Sequence, residues 1–393
     1  MSATGGSAPR STVKRVQNPA TRAKYSPGSA LPQAFYACNG GPAARIGKGP
    51  PERPKLARMH STPAAGLRPV PPIPAWPGRF ITAGRAELFV RSAPAEPGAE
   101  PALCVHGLGG ASTNWTDLMD QLRRPDPPGR DGQPGVDSPW PPWPGGHPLA
   151  CAALDLPGHG HSPQAPDGDY TVRAQAATVA RLIEQQGRGP VHLIGNSLGG
   201  AVCTKLAATR PDLISTLTLV SPALPDLRPR PVPARISTLR VPGLGPWLIR
   251  RAGKIPARQR VEITLRDVYF DPAVVHPDRV AEEVAEVERQ DRLGYPGDVL
   301  LQSAKGVVAE YLRRGPQTLW RDAARVSAPV LAVYGSHDRL VAPRMAARAA
   351  RTFPHARVVI LQRTGHVAMM ERPAEVAREM RIMLAEAARP AAG

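Results

Sequence analysis

Four cysteines in 393 residues leave no material for a dense disulfide framework. Cys38, Cys104, Cys151 and Cys203 lack metal-ligand spacing. Three of them fall in segments expected to be core strands or a core helix, so they read as buried, reduced thiols. No apolar run approaches the roughly 18 residues that would carry a helix across a bilayer. The basic start has no apolar stretch of the kind a secretory signal needs, and a cytoplasmic location follows by default. No metal triad and no dinucleotide fingerprint stands out, so neither a cofactor nor a metal ion is expected. There is no internal repeat, and nothing specifies an oligomeric state.

Acid is scarce at the start of the chain. Residues 1–58 hold ten Lys or Arg against Glu52 alone, half of the net charge of +18. Beyond them the positive charge reads as scattered arginine, with no concentrated phosphate-binding stripe. Arginine far outnumbers lysine, and Ala, Pro and Gly are abundant, as in a GC-rich coding sequence. The high charge is therefore weak ground for a nucleic-acid partner, and none is expected. Were 1–58 a nucleic-acid arm, binding would depend steeply on salt and vanish in a chain starting at Met59.

Residues 1–75 are rich in Pro, Gly, Ser, Ala and Arg and show no periodicity, so they are expected to be disordered. Met59 is an alternative start, and the Arg-rich, acid-poor beginning is also compatible with an organellar transit peptide. From Arg79 the pattern changes. Phe80–Thr82 and Glu87–Val90 form an expected strand pair turning near Gly84. Short apolar strands follow at Ala102–Val105, Leu149–Leu154, Val191–Ile194, Leu217–Val220, Val330–Tyr334 and Val358–Leu361. Helical spacing marks Thr113–Leu122, Tyr170–Gln186, Leu198–Thr209, Pro343–Thr352 and Ala374–Ala388. A Pro/Gly-rich loop with Trp140 and Trp143 interrupts at 124–147. Strands alternating with helices imply an α/β fold with a mainly parallel sheet covered on both faces. Residues 76–221 and 326–393 make up that core, and 222–325 read as a mainly helical cap inserted over the sheet's carboxyl edge.

The most informative run is Pro190-Val191-His192-Leu193-Ile194-Gly195-Asn196-Ser197-Leu198-Gly199-Gly200. An apolar strand leads through G-x-S-x-G into a helix. So sharp a turn strains the central residue and lifts its side chain above the sheet edge. A Cβ at Gly195 or Gly199 would collide with neighbouring backbone, and the helix start favours negative charge beside the hydroxyl. Serine is a poor nucleophile at neutral pH and needs a base, itself oriented by a carboxylate. Asp338 and His366 each follow an expected strand, where open α/β sheets place ligands. Asp226 follows the strand ending at Val220 and is a second candidate acid.

These residues resemble the α/β-hydrolase superfamily over roughly 79–221 and 326–388. The resemblance rests on His106-Gly107-Leu108-Gly109-Gly110, Asp155 to Ser162, Gly195 to Gly200, Gly335-Ser336-His337-Asp338 and Gly365-His366. It implies a catalytic triad of Ser197, Asp338 and His366, and an oxyanion hole formed by the amides of Leu108 and Leu198. His106, Gly107, Gly195 and Gly199 would have supporting roles. A serine at 197 argues against relatives that use an aspartate nucleophile, such as haloalkane dehalogenases and epoxide hydrolases. The expected reaction is cleavage of a small carboxylic ester with an apolar acyl group through an acyl-enzyme. Thioester hydrolysis, carbon–carbon bond hydrolysis and cofactor-free perhydrolysis share the scaffold, and some relatives with the triad are ligand receptors. His159, His161, His192 and His337 read as structural, and Asp155 as a loop-fixing carboxylate. Trp247, Leu248, Ile249, Tyr269, Phe270, Val367, Met369 and Met370 either line an acyl pocket or form core. Leu239–Arg250, apolar with flanking arginines, is a possible peripheral lipid contact.

Overall fold

The short runs of apolar residues without polar alternation become the interior strands of one nine-stranded sheet. The computed structural model describes residues 60–62, 72–125, 142–143, 148–226, 228, 230–231, 233, 237–241 and 243–388. The expectations for residues 1–58, Met59, Cys38 and Trp140 lie outside them. The strands are β1 (His60–Thr62), β2 (Gly78–Ala83), β3 (Ala86–Ser92), β4 (Pro101–Val105), β5 (Ala150–Leu154), β6 (Val191–Asn196), β7 (Ile214–Val220), β8 (Val330–Gly335) and β9 (Ala356–Leu361). Their order is β1-β9-β8-β7-β6-β4-β5-β3-β2. Seven run parallel, from β1 to β5, while β3 is antiparallel to β5 and β2 to β3.

Every residue of β6 and β8 is buried, as expected for central strands covered on both faces. β3 instead alternates, with Ala86, Leu88 and Val90 inward. The β2–β3 hairpin turns at Gly84, whose φ of +65° suits glycine. Part of the segment expected to lack structure is described. His60–Thr62 pairs in parallel with Val359–Leu361 as an edge strand.

Helices α1 (Thr116–Arg123), α2 (Val172–Gln186) and α3 (Leu198–Thr209) connect the first half of the sheet. The expected helix from Thr113 begins as a 3-10 turn at Ser112–Trp115 before α1. α2 is amphipathic because Val172, Ala176, Val179 and Ile183 fall on one stripe. It starts where the Thr171 side chain accepts the Ala174 amide and ends at Gly187 with φ +60°. Between β7 and β8 the chain passes through α4 (Leu244–Ala252), α5 (Ala257–Val268), α6 (Pro277–Asp291), α7 (Pro296–Leu312) and α8 (Leu319–Ala323). α9 (Met345–Thr352) follows β8, and α10 (Ala368–Glu371) and α11 (Pro373–Ala387) follow β9.

Two apolar clusters fill the faces of the sheet. One joins α2, α3, α8 and α9 to β6 and β8, and the other joins α1, α10 and α11 to β5 and β9. Leu319, Trp320 and Ala323 belong to the first cluster. α8 is thus part of the core layer although it lies before the expected boundary at 325. Buried leucine and tryptophan decide its place, not its position in the chain.

Candidate active site

Ser197 has φ 52° and ψ −115°, between the last residue of β6 and the first of α3. A non-glycine residue rarely adopts this conformation, and holding it costs roughly 1–3 kcal/mol. Backbone bonds lock it: the Ser197 amide donates to the Val220 carbonyl (3.1 Å), and its carbonyl accepts from Ala223 (2.9 Å). The flanking glycines allow the close approach. A Cβ at Gly195 would lie 2.6 Å from the Gly199 carbonyl oxygen, and one at Gly199 would lie 2.1 Å from that of Val105. The turn is therefore wedged against the end of β4.

The loop after β4 reaches the same point. A Cβ at Gly107 would stand 3.1 Å from Ser197 Cβ. His106 holds this loop in place. Its Nε2 accepts the Leu156 amide (3.0 Å), which leaves Nδ1 to donate to the Gly107 carbonyl (2.7 Å). Burial lowers its pKa to about 4, against the opposing pull of that bond, so the ring is neutral. Asp155, fully buried, accepts the Ser112 amide at Oδ1 (2.6 Å) and the His161 amide at Oδ2 (2.8 Å). It joins two loops, as the sequence suggested.

Asp338 follows β8 and is fully buried. Its Oδ1 accepts the amides of Leu340 (2.7 Å) and Val341 (2.9 Å), and its Oδ2 lies 2.9 Å from His366 Nδ1. Burial alone would raise the carboxyl, but His366 and the hydrogen bonds hold it below the usual carboxylate range. The competing acid is elsewhere engaged: Asp226 pairs with Arg344 (2.6 Å) and accepts the Arg228 amide (3.0 Å).

Two residues that sequence reasoning passed over tie this pair to the serine turn and the helical insertion. Asn196 Nδ2 donates to the carbonyls of Val220 (3.0 Å) and His366 (3.2 Å). Glu371 is buried, with Oε1 accepting the Gly365 amide (2.7 Å) and Oε2 the Phe270 amide (2.9 Å). Burial pushes its carboxyl up to about 7 despite these amides and Arg372. The His366 amide donates to the Val268 carbonyl at 2.6 Å. The signal for Glu371 was present: it is the one acid in the apolar run from Val367.

Three further histidines make other contacts. His192 bonds Thr216 (2.9 Å) and Glu100 (2.6 Å), His159 is buried beside His106, and His337 is exposed beside Ser336. Tyr269, Val367 and Met369 are core residues, whereas Trp247 is exposed. Cys104, Cys151 and Cys203 are buried free thiols, and burial pushes Cys151 up to about 12. Among the described residues no cluster of His, Cys, Asp or Glu could hold a metal ion, and no helix is long and apolar enough to cross a membrane.

A protein-family model described as alpha/beta hydrolase fold matches residues 101–373. Lipase LipV of Mycobacterium tuberculosis is 48% identical over 76 residues, which are 19% of this chain and 28% of LipV. The match thus spans little more than a quarter of that relative. Esterase Rv0045c of the same organism is 29% identical over 230 residues, 56% of this chain and 70% of the esterase. Among solved structures, a bacterial membrane phospholipase A aligns with a TM-score of 0.62 at 21% identity, covering 80% of this chain and 88% of that one. At that identity the likeness speaks for the fold.

Proposed function

The chain belongs to the alpha/beta hydrolase fold family, and from that premise we propose that it is a serine hydrolase of small carboxylic esters with an apolar acyl group. Ser197 is the nucleophile, His366 the base and Asp338 the acid. The observation that carries this reading is the 2.9 Å contact of His366 Nδ1 with Asp338 Oδ2, on a histidine whose carbonyl is bonded by the residue preceding Ser197. The Nδ1 contact leaves Nε2 to take the serine proton. Sequence relatives named lipase and esterase support the choice of ester.

In the reaction, Ser197 Oγ adds to the ester carbonyl as His366 takes its proton. The oxyanion accepts the amides of Leu198, at the start of α3, and Leu108; losing one such donor costs about 3 kcal/mol. His366 then returns the proton to the departing alcohol. Water, activated by the same imidazole, releases the acid and frees Ser197.

Ser197→Ala tests this directly. Turnover of nitrophenyl esters is expected to fall to background with the folded state retained. A fluorophosphonate probe is expected to leave its phosphonyl group on the Ser197 peptide, with loss of fluoride, in the parent protein alone. Normal turnover in the variant would refute the reading. A panel of esters and thioesters of increasing chain length identifies the preferred bond and acyl group. Negligible turnover across the panel, with slow labelling of Ser197, would instead indicate a receptor.

A further inference from the structure

Averaged over the chain, arginine beyond residue 58 reads as scattered, but one stretch departs sharply from that. Between Asp226 and Glu262 there are nine Lys or Arg and no Asp or Glu. The same stretch carries exposed apolar side chains. Val241 and Trp247 are each 48% exposed and Leu244 is 38% exposed.

Helix geometry groups them. Leu244, Trp247 and Arg251 are spaced i, i+3 and i+7 on α4 and share one face. The Arg251 guanidinium lies 5.6 Å from the Trp247 ring centroid. Arg250, Arg251 and Lys254 are exposed and form no ion pair with an acid among the described residues. The opposite side of α4 is packed: Gly245 is buried near Leu301, and Ile249 meets Gly297 on α7. A well-packed inner side rules out simple misfit as the reason for the exposed Trp and Leu.

We propose that this face of α4 docks on an anionic lipid surface. Cations without acids supply the attraction, and an exposed Trp and Leu supply the insertion that an interfacial helix needs. A neutral apolar partner would leave the charge unexplained, and a nucleic acid would leave Val241, Leu244 and Trp247 in water. The location suits access to the site. α7 touches α4 through Gly297 and Leu301, and its Leu300 lies 3.5 Å from where a Cβ of Gly109 would sit. The docking face is thus one helix removed from the glycine loop beside Ser197, so bound lipid would deliver apolar material near the site.

Co-sedimentation of the full chain with vesicles tests the proposal and does not depend on turnover, so Ser197→Ala is expected to bind like the parent. The protein is expected to partition onto phosphatidylcholine vesicles mixed with phosphatidylglycerol and not onto phosphatidylcholine alone. Raised salt is expected to weaken the binding. Each cation near such a surface contributes about fivefold, so Arg250→Gln/Arg251→Gln/Lys254→Gln is expected to lower partitioning by about a hundredfold. Leu244→Ser/Trp247→Ser is expected to lower it about tenfold or more at unchanged charge. Undiminished binding in both variants would place the interaction elsewhere, as on the basic residues 1–58, and overturn the proposal. So would equal binding to neutral vesicles. Two further results would do the same: RNA binding without vesicle binding, or self-association that Trp247→Ser abolishes.

Discussion

Glu371→Gln separates two effects that the structure combines in one side chain. The substitution keeps the shape and one acceptor oxygen but turns the other end into an N–H donor. One of the two buried amides, Gly365 or Phe270, then loses its acceptor, at a cost of about 1–3 kcal/mol. Against this, burial has pushed the carboxyl up from 4.5 to about 7. The folded chain holds a proton that the unfolded chain releases across that range. Stability linked to this group is therefore full below about pH 4.5 and is lost as pH rises through 7, a change of about 3 kcal/mol. Glutamine does not titrate. The variant is expected to be less stable than the parent near pH 5 by about 1–3 kcal/mol and to match or exceed it near pH 8. Urea unfolding at the two pH values measures this. Because Gly365 precedes His366 and Phe270 lies two residues beyond Val268, which accepts the His366 amide, losing either tie loosens the seat of the imidazole, and kcat for a nitrophenyl ester is expected to fall about ten- to a hundredfold at pH 8 with KM little changed. A stability difference that is the same at both pH values would refute the titration argument, and an unchanged kcat would refute the positioning argument.

The choice of acid is tested by a pair of variants. Asp338→Asn is expected to lower kcat/KM by at least a thousandfold because the neutral amide no longer stabilises the imidazolium, whereas Asp226→Asn, losing only its bond to Arg344, is expected to stay within about twofold; the reverse order would transfer the role to Asp226. Gly335→Ala would put a Cβ 1.9 Å from the Gly365 carbonyl oxygen. It is expected to cost several kcal/mol in unfolding free energy and most of the activity. Gly168→Ala serves as its control, with φ +66° but no atom within 4 Å: about 1–2 kcal/mol of backbone strain and unchanged kcat are expected. Comparable effects in the two variants would show that the Gly335–Gly365 contact does not constrain the site.

Much of this molecule was legible because central parallel strands are covered on both faces and mostly apolar, and because turns need glycine. Val191–Asn196 and Val330–Gly335 are buried throughout, so their runs stand out without any alternation. Gly195 and Gly199 mark the Ser197 turn because no other residue fits there. What escaped depends on partners far away in the chain. Glu371 bonds Phe270 across 101 residues and Asn196 bonds His366 across 170; neither periodicity nor spacing encodes such a contact. His60–Thr62 escaped because three polar residues in a row carry neither an apolar run nor an alternation; their backbone pairs in parallel with β9. The bounds of α7, inside the segment read as mainly helical, were blurred because Gly297 and Gly306, poor helix residues, are retained where α7 approaches Ile249 and the Tyr170 backbone.

The segment 364–366 shows why the distant contacts matter. His337 donates to the Thr364 carbonyl, Glu371 accepts the Gly365 amide, Val268 accepts the His366 amide, and Asn196 donates to the His366 carbonyl. These four ties come from the acid loop, α10, the helical insertion and the serine turn. The Asp338 contact orients the ring, but the ties set where the ring is held. An imidazole displaced by even 1 Å loses about a hundredfold in rate, so backbone restraint from four directions is as much a requirement of the proposed chemistry as the carboxylate. Two of the ties also run to Val268 and Phe270 in the insertion, one directly and one through Glu371. The seat of the insertion and the position of the proposed base are therefore mechanically one unit, and a change that shifts Val268–Phe270 is expected to act on kcat before it acts on substrate affinity.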